Sequence, residues 1–261
     1  MNELLDGSRI LVSLIFLVYA AWADFKTREV SNKVWAIFAP LAFLLTALQY
    51  ILFPQDLLYS YVLPFVVTLA LSLVLFYAGG FGGADAKALI CLSLALPLYP
   101  HYLLESPIGY LPLIFPLSVF INAVFLASFS VIFILLRNLS WKYRNKRKLF
   151  EGFEKESLGR KILILLSGYK VNIADLEKKD YLIPLEDLDA RLEEKRKLIA
   201  IPRDEEREEI VLRLLEAKSN GQIQGDVWAT PGLPILVFIT AGLVIALVFG
   251  DILWTILYSI L

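Results

Sequence analysis

The chain has one cysteine and one histidine in 261 residues. Cys91 alone can make neither an internal disulfide nor a cysteine-based zinc site, and His101 alone cannot supply the paired histidines of an HExxH metalloprotease. A basic leader with a small-residue cleavage site is also missing. The first apolar run, from about Ile10 to Ala23, follows Glu3 and Asp6 and is expected to be a retained helix, not a cleaved signal peptide. An excess of one sign of charge is missing too. Lys and Arg number 25 against 26 Asp and Glu, and most of them lie between Arg137 and Asp226. There Arg144, Lys146, Arg147 and Lys148 are soon followed by Glu151, Glu154 and Glu156. Binding a phosphate backbone needs a sustained positive surface, so this mixed block reads as a solvated domain and no nucleic-acid partner is expected. Neither an internal repeat nor a low-complexity linker is visible.

What the chain has in abundance is apolar sequence. Hydrophobic residues make up 58% of it, against roughly 45–50% in soluble domains. Because about twenty apolar residues cross a bilayer, the runs predict transmembrane helices at roughly 8–23, 33–53, 58–78, 85–99, 110–136 and 233–260. The expected fold is a membrane all-α protein: a polytopic bundle of six transmembrane helices with a small cytoplasmic α+β domain inserted before the last one. The expected boundaries are 1–136 for the first five helices, 137–229 for the soluble domain and 230–261 for the last helix.

Lys and Arg in short flanking loops set orientation. Lys26, Arg28 and Lys33 lie between the first two runs, Lys87 follows a glycine-rich stretch, and the Arg144–Lys148 cluster follows the fifth run. The turns at 54–60 and 97–109 contain no Lys or Arg, and only Arg9 dissents. Both termini are therefore expected outside, with the 24–33 and 79–87 loops and the 137–230 block facing the cytoplasm. The protein is expected in the cell membrane, with the lipid bilayer as its surroundings.

Within the block, the six-residue run 161–166, apolar from Ile162 to Leu166, is too short to span and predicts a strand or a buried helix. Gly168–Ile173 and Tyr181–Pro184 alternate weakly and predict strands. Asp187–Lys197 and Asp204–Lys218 predict charge-rich helices separated by Pro202.

Two aspartates stand out. Asp24 ends the first apolar run and is followed by a basic loop and Asn32, a candidate N-cap for the second helix. Asp85 sits in Gly79-Gly80-Phe81-Gly82-Gly83-Ala84-Asp85-Ala86-Lys87, between two apolar runs. An ionisable group there is costly and marks a functional site by default. By the orientation argument both carboxylates reach the same membrane face. Alone, Asp24 would serve as a helix-end charge and Asp85 as an N-cap. Together they form the pair that an aspartyl peptidase needs.

The motifs Asp24…Val30-Ser31-Asn32 and Gly82-Gly83-Ala84-Asp85-Ala86-Lys87 resemble those of the prepilin and preflagellin peptidases. That family of polytopic aspartyl proteases carries an Asp before an Ile-Pro-Asn-like element and a second Asp in Gly-x-Gly-Asp-x-Lys. Here Ala84 stands at the second glycine. Phe115–Asn122 and Val227–Pro234 look like segments of the archaeal preflagellin branch. The resemblance implies an endopeptidase that removes the short basic leader of preflagellin-like or prepilin-like substrate proteins. Asp24 and Asp85 would be catalytic, with Gly82, Gly83, Lys87 and Pro231 in supporting or substrate-binding roles. No metal and no organic cofactor is expected. The Thr230–Pro234 segment is expected to be irregular, helping to present an extended substrate.

The remaining polar residues have plainer readings. Lys26 and Arg28 are expected only to orient the chain, Glu29 to be solvated, Asn122 to bond between helices, and His101 and Asp251 to lie outside. Glu151, Glu154 and Glu156 are candidates for holding a basic leader. The alternatives are a transporter, which would hold its carboxylates near the midplane and often shows repeats, and a membrane scaffold with replaceable aspartates. A serine rhomboid is disfavoured by the position of His101.

Overall fold

The computed structural model describes residues 2–53, 58–105, 111–189, 195–199, 207–223 and 225–260. Residues 54–57 of the 54–60 turn, 106–109 of the 97–109 turn, Pro202 and 204–206 lie outside these. The protein is mostly helical, and its contacts divide it into two units: 1–127 with 234–261, and 128–233.

In the first unit the apolar runs form α1 (Asn2–Thr27), α2 (Asn32–Leu52), α3 (Leu58–Tyr77), α4 (Gly83–Ala95), the short α5 (His101–Glu105) and the start of α6 (Phe115–Asn145). They are followed, after the second unit, by α10 (Ile235–Phe249) and α11 (Ile252–Ile260). Among the described residues four helices are long and apolar enough to cross a membrane: α1, α2, α3 and α6. The fourth run is shorter than its apolar length suggests. Thr46 of α2 donates to the Leu94 and Ala95 carbonyls at 2.7 and 3.1 Å, which satisfies the end of α4 two residues before Pro97 can interrupt it.

α4 is the hub. Its small residues Ala86, Ala88, Ser93 and Ala95 are buried together with Leu89, Cys91 and Leu92, because it packs on α2 and α3 and also meets α1 and α10. A helix buried on all sides is apolar all round. Leu17, Phe38, Phe115 and Leu243 complete this core. At Gly242 a Cβ would meet the Val119 carbonyl oxygen at 2.5 Å, so only glycine lets α10 and α6 approach that closely.

The last apolar run is a corrected expectation: it is two helices, not one. Gly250 has φ 71°, and the freed backbone groups are taken by Asn122, which donates to the Gly250 carbonyl at 2.9 Å and accepts from the Ile252 amide at 3.0 Å. Asp251 then caps α11 through the Trp254 amide. Asn122 bonds between helices as expected, but it does so at a break that the unbroken hydrophobicity of 233–260 conceals.

The second unit contains α7 (Leu158–Ser167), β1 (Tyr169–Val171), α8 (Ile173–Lys178), β2 (Leu182–Pro184), β3 (Glu186–Asp189), β4 (Lys195–Leu198), α9 (Arg207–Ser219) and β5 (Val227–Pro231). β5 is the centre of an antiparallel sheet ordered β1-β5-β2, with Tyr169 opposite Ala229 and Leu182 opposite Pro231. β1 and β2 fall where alternation predicts them. Three expectations are corrected. Asp187–Lys197 is not helical: its described ends form the β3–β4 hairpin, in which Asp187 faces Lys197 and Asp189 faces Lys195, and opposite charges directly across an antiparallel pair favour the strand. Thr230 and Pro231 end the central strand instead of forming an irregular segment. The 161–166 run is a helix, but it fully buries only Ile164 and partly buries Leu165, leaving Ile162, Leu163 and Leu166 exposed.

Candidate active site

Asp24 lies in the last turn of α1, which ends when the Arg28 amide bonds to the Asp24 carbonyl at 3.0 Å. Arg28 then takes φ 60°, a left-handed conformation that closes a helix and turns its guanidinium back to interact electrostatically with the Asp24 carboxylate. The carboxylate also accepts from the backbone amide of Leu236, in the first turn of α10. A helix N-terminus favours a negative group. Its second oxygen, Oδ2, is buried with no hydrogen-bond partner among the described residues.

Asp85 is the third residue of α4 and is 8% exposed. Its Oδ2 accepts from the Gly82 amide at 2.9 Å, the reciprocal half of a capping box. The helix thus begins at Gly83, two residues before the expected position, and the carboxylate is held by the turn that starts it. A Cβ at Gly82 would stand 3.2 Å from that oxygen, whereas one at Gly83 would make ordinary contact with Phe76. Ala84 packs, partly buried, against the core, so an alanine fits there without displacing Asp85. Asp24 and Asp85 lie within electrostatic reach of each other.

The other named residues are placed differently. Lys87 donates to the Asn32 side chain at 2.7 Å and makes no ion pair with either aspartate among the described residues. Asn32 is not the N-cap of α2; Ser31 is, accepting from the Lys33 amide, which frees Asn32 to tie α2 to α4. Pro231 closes the β5 register in the second unit, opposite Leu182. Reading the sequence missed Arg28 and Leu236 as neighbours of Asp24. For Leu236 the available signal was Pro234, which marks a helix start; Arg28 gave none beyond its proximity in sequence.

A half-buried carboxylate at the end of α1 and a buried one at the start of α4, within electrostatic reach of each other beside a glycine turn, form a candidate acid–base pair. Likeness to known proteins extends over the chain as a whole, not residue by residue at this pair. The model of the type IV leader peptidase family matches residues 11–136, and that of the archaeal peptidase A24 C-terminus type II matches 160–252. In these two regions the chain is similar to the type IV leader peptidase family. It is similar to the preflagellin peptidase of Methanococcus voltae, 28% identical over 246 residues that cover 92% of this chain and 94% of that one. The preflagellin peptidases of Methanocaldococcus jannaschii, at 27% identity, and Methanococcus maripaludis, at 25%, match over the same 92% of this chain and cover 93% and 94% of those proteins.

Proposed function

We propose that this chain is a membrane-embedded aspartyl endopeptidase that removes the short basic leader of preflagellin-like or prepilin-like proteins at the cytoplasmic membrane face. The observation that carries the catalytic reading is the juxtaposition of Asp24, with its unpartnered oxygen, and Asp85 at the glycine turn. Two nearby carboxylates do not both ionise easily, so they share a proton and titrate as a unit. The ionised member takes a proton from water as its oxygen attacks the scissile carbonyl carbon. The protonated member hydrogen-bonds the carbonyl oxygen and stabilises the tetrahedral intermediate. Collapse breaks the C–N bond, and the departing amine receives a proton from the pair. Gly82 keeps the approach to Asp85 open, and Lys87 positions α4 on α2 through Asn32.

The reading takes six membrane crossings, made by α1, α2, α3, α4, α6 and α10 with α11, with 137–229 as the cytoplasmic insertion between 1–136 and 230–261. The partition of Lys and Arg supports this orientation. A cysteine introduced at Thr27 should therefore be labelled only after cells are permeabilised, and one at Ser60 in intact cells.

Incubating the purified protein with a preflagellin-like peptide and locating the cut by mass spectrometry tests the function. A cut after the basic leader, lost in both Asp24→Asn and Asp85→Asn, is expected. No cut by the folded native protein would favour a transporter or a scaffold.

A further inference from the structure

α7 carries its apolar side chains on the wrong side for an ordinary domain helix. Leu158, Ile162, Leu163 and Leu166 are 78%, 55%, 55% and 39% exposed, while Ile164 is fully buried. At about 100° per residue these four fall within an arc of about 140°, facing away from Ile164. A helix in a water-soluble domain turns such a stripe inward. Here Ile164 and, in part, Leu165 pack into the unit, and four apolar residues point out of it.

The level at which α7 is fixed says what covers that stripe. The apolar run of α6 ends at Leu136, and the next two residues anchor the end of α7. Asn138 donates to the Leu165 and Gly168 carbonyls at 3.3 and 2.8 Å; the Arg137 guanidinium lies 3.7 Å above the Tyr169 ring. The C-terminal end of α7 is therefore pinned about 3 Å of helix rise past the end of the unbroken apolar run of α6. Just before that point α6 exposes Phe129, Ile132, Phe133 and Leu136, as a lipid-facing surface does. Its last turn carries the exposed cations Lys142 and Arg144, suited to a headgroup layer.

We propose that α7 is an interfacial helix, its Leu158, Ile162, Leu163 and Leu166 face seated in the headgroup–acyl boundary of the leaflet from which α6 emerges. The occupant of the stripe is lipid, not a protein. This makes 158–167 a second, monotopic membrane contact of a block that composition alone assigns to water. It stands independently of the peptidase reading.

The test uses the full-length protein with Cys91→Ala and single cysteines at Ile162, Leu166 or, as the solvent control, Glu177. Each is labelled with an environment-sensitive fluorophore and reconstituted into vesicles of phosphatidylcholine and phosphatidylglycerol. Labels at 162 and 166 should emit to the blue of the label at 177. They should be quenched about two-fold or more by lipids carrying a nitroxide near the top of the acyl chain, as expected for an apolar face buried just below the headgroups. The 177 label should respond only to aqueous iodide. Adding Leu158→Asp and Ile162→Asp should bring the 166 label to the behaviour of the control. Iodide quenching at 162 equal to that at 177 would overturn the proposal by placing the stripe in water. Shielding from both iodide and nitroxide would overturn it equally, by placing protein over the stripe. Neither measurement depends on cleavage, so failure here leaves the peptidase assay unaffected.

Discussion

α1 carries a carboxylate near each end, and their surroundings are opposites. Asp6, 3% exposed, is saturated: it is paired with Arg9, accepts from the His101 backbone amide at 3.0 Å and the His101 ring at 2.8 Å, and accepts from Gln49 at 3.2 Å. Asp24 keeps a buried oxygen without a hydrogen-bond partner among the described residues. A buried charge costs little only when its hydrogen-bonding capacity is filled. Asp6 therefore acts as a clamp holding α1, α2 and α5 together, and Asp24 has capacity left for a substrate or a water. Asp24 is also the less buried of the two, and its unfilled oxygen is what it can offer a ligand.

The sharpest way to break this comparison is to replace both kinds of aspartate. Asp24→Asn or Asp85→Asn should lower cleavage by about three orders of magnitude or more with little change in the unfolding temperature in detergent. The double variant should be no worse than either single one, since paired groups act as a unit. Asp6→Asn should do the reverse. Arg9 would be left buried without its counter-charge, a loss of about 3–5 kcal/mol of stability, while the turnover per folded molecule stays within about two-fold of the native value. Full activity in Asp85→Asn, or native stability in Asp6→Asn, would dissolve the distinction.

A smaller effect comes from the glycine turn. Gly82→Ala places a methyl against the Asp85 oxygen and should reduce kcat about ten-fold through misplacement of the carboxylate. Gly83→Ala, which meets only Phe76, should be nearly silent. Equal losses at both positions would show that the turn acts through backbone freedom instead of clearance.

The smallest effect extends the comparison to a buried cation. Lys170 packs over Trp228 at 5.0 Å, bonds to the Asp226 carbonyl and lies 3.8 Å from Glu186. Burial pulls its ammonium down to about 8, although Glu186 opposes the shift. The sign follows from proton counts. Below about pH 8 both folded and unfolded chains carry the proton, and the full cost of burying the charge is present. Between about pH 8 and the ordinary 10.5 the unfolded chain holds more protons, so stability rises with pH. The unfolding temperature of the native protein relative to Lys170→Met should rise across that window; a flat difference would mean that Glu186 compensates the charge completely.

Much of the site was legible because its chemistry is local. Asp24 sits at the end of an apolar run and Asp85 in a glycine turn, and both signals lie within ten residues of sequence. The strands β1 and β2 were legible for the same reason. What escaped depends on partners distant in the chain. Leu236 reaches Asp24 across more than two hundred residues, and the break at Gly250 is stabilised by Asn122 from α6. Asp187–Lys197 looked helical because its charges recur, but the pairing of Asp187 with Lys197 across a hairpin is a long-range choice that periodicity does not record. Ser31 and Asn32 are both competent caps; the bond from Lys87 decides between them.

The break that Asn122 holds open also determines where this protein tolerates changes of length. α10 commits Leu236, Ile239, Leu243 and Ala246 to the interior, whereas α11 buries none of its residues. One residue inserted before Gly250 would rotate part of α10 by about 100° and turn that committed face away from its neighbours. The same insertion after Thr255 turns only a helix end with no buried face. Length variation at the carboxyl end is thus mechanically decoupled from Asp24, and the tail beyond the break is the natural place to append a tag or a second domain.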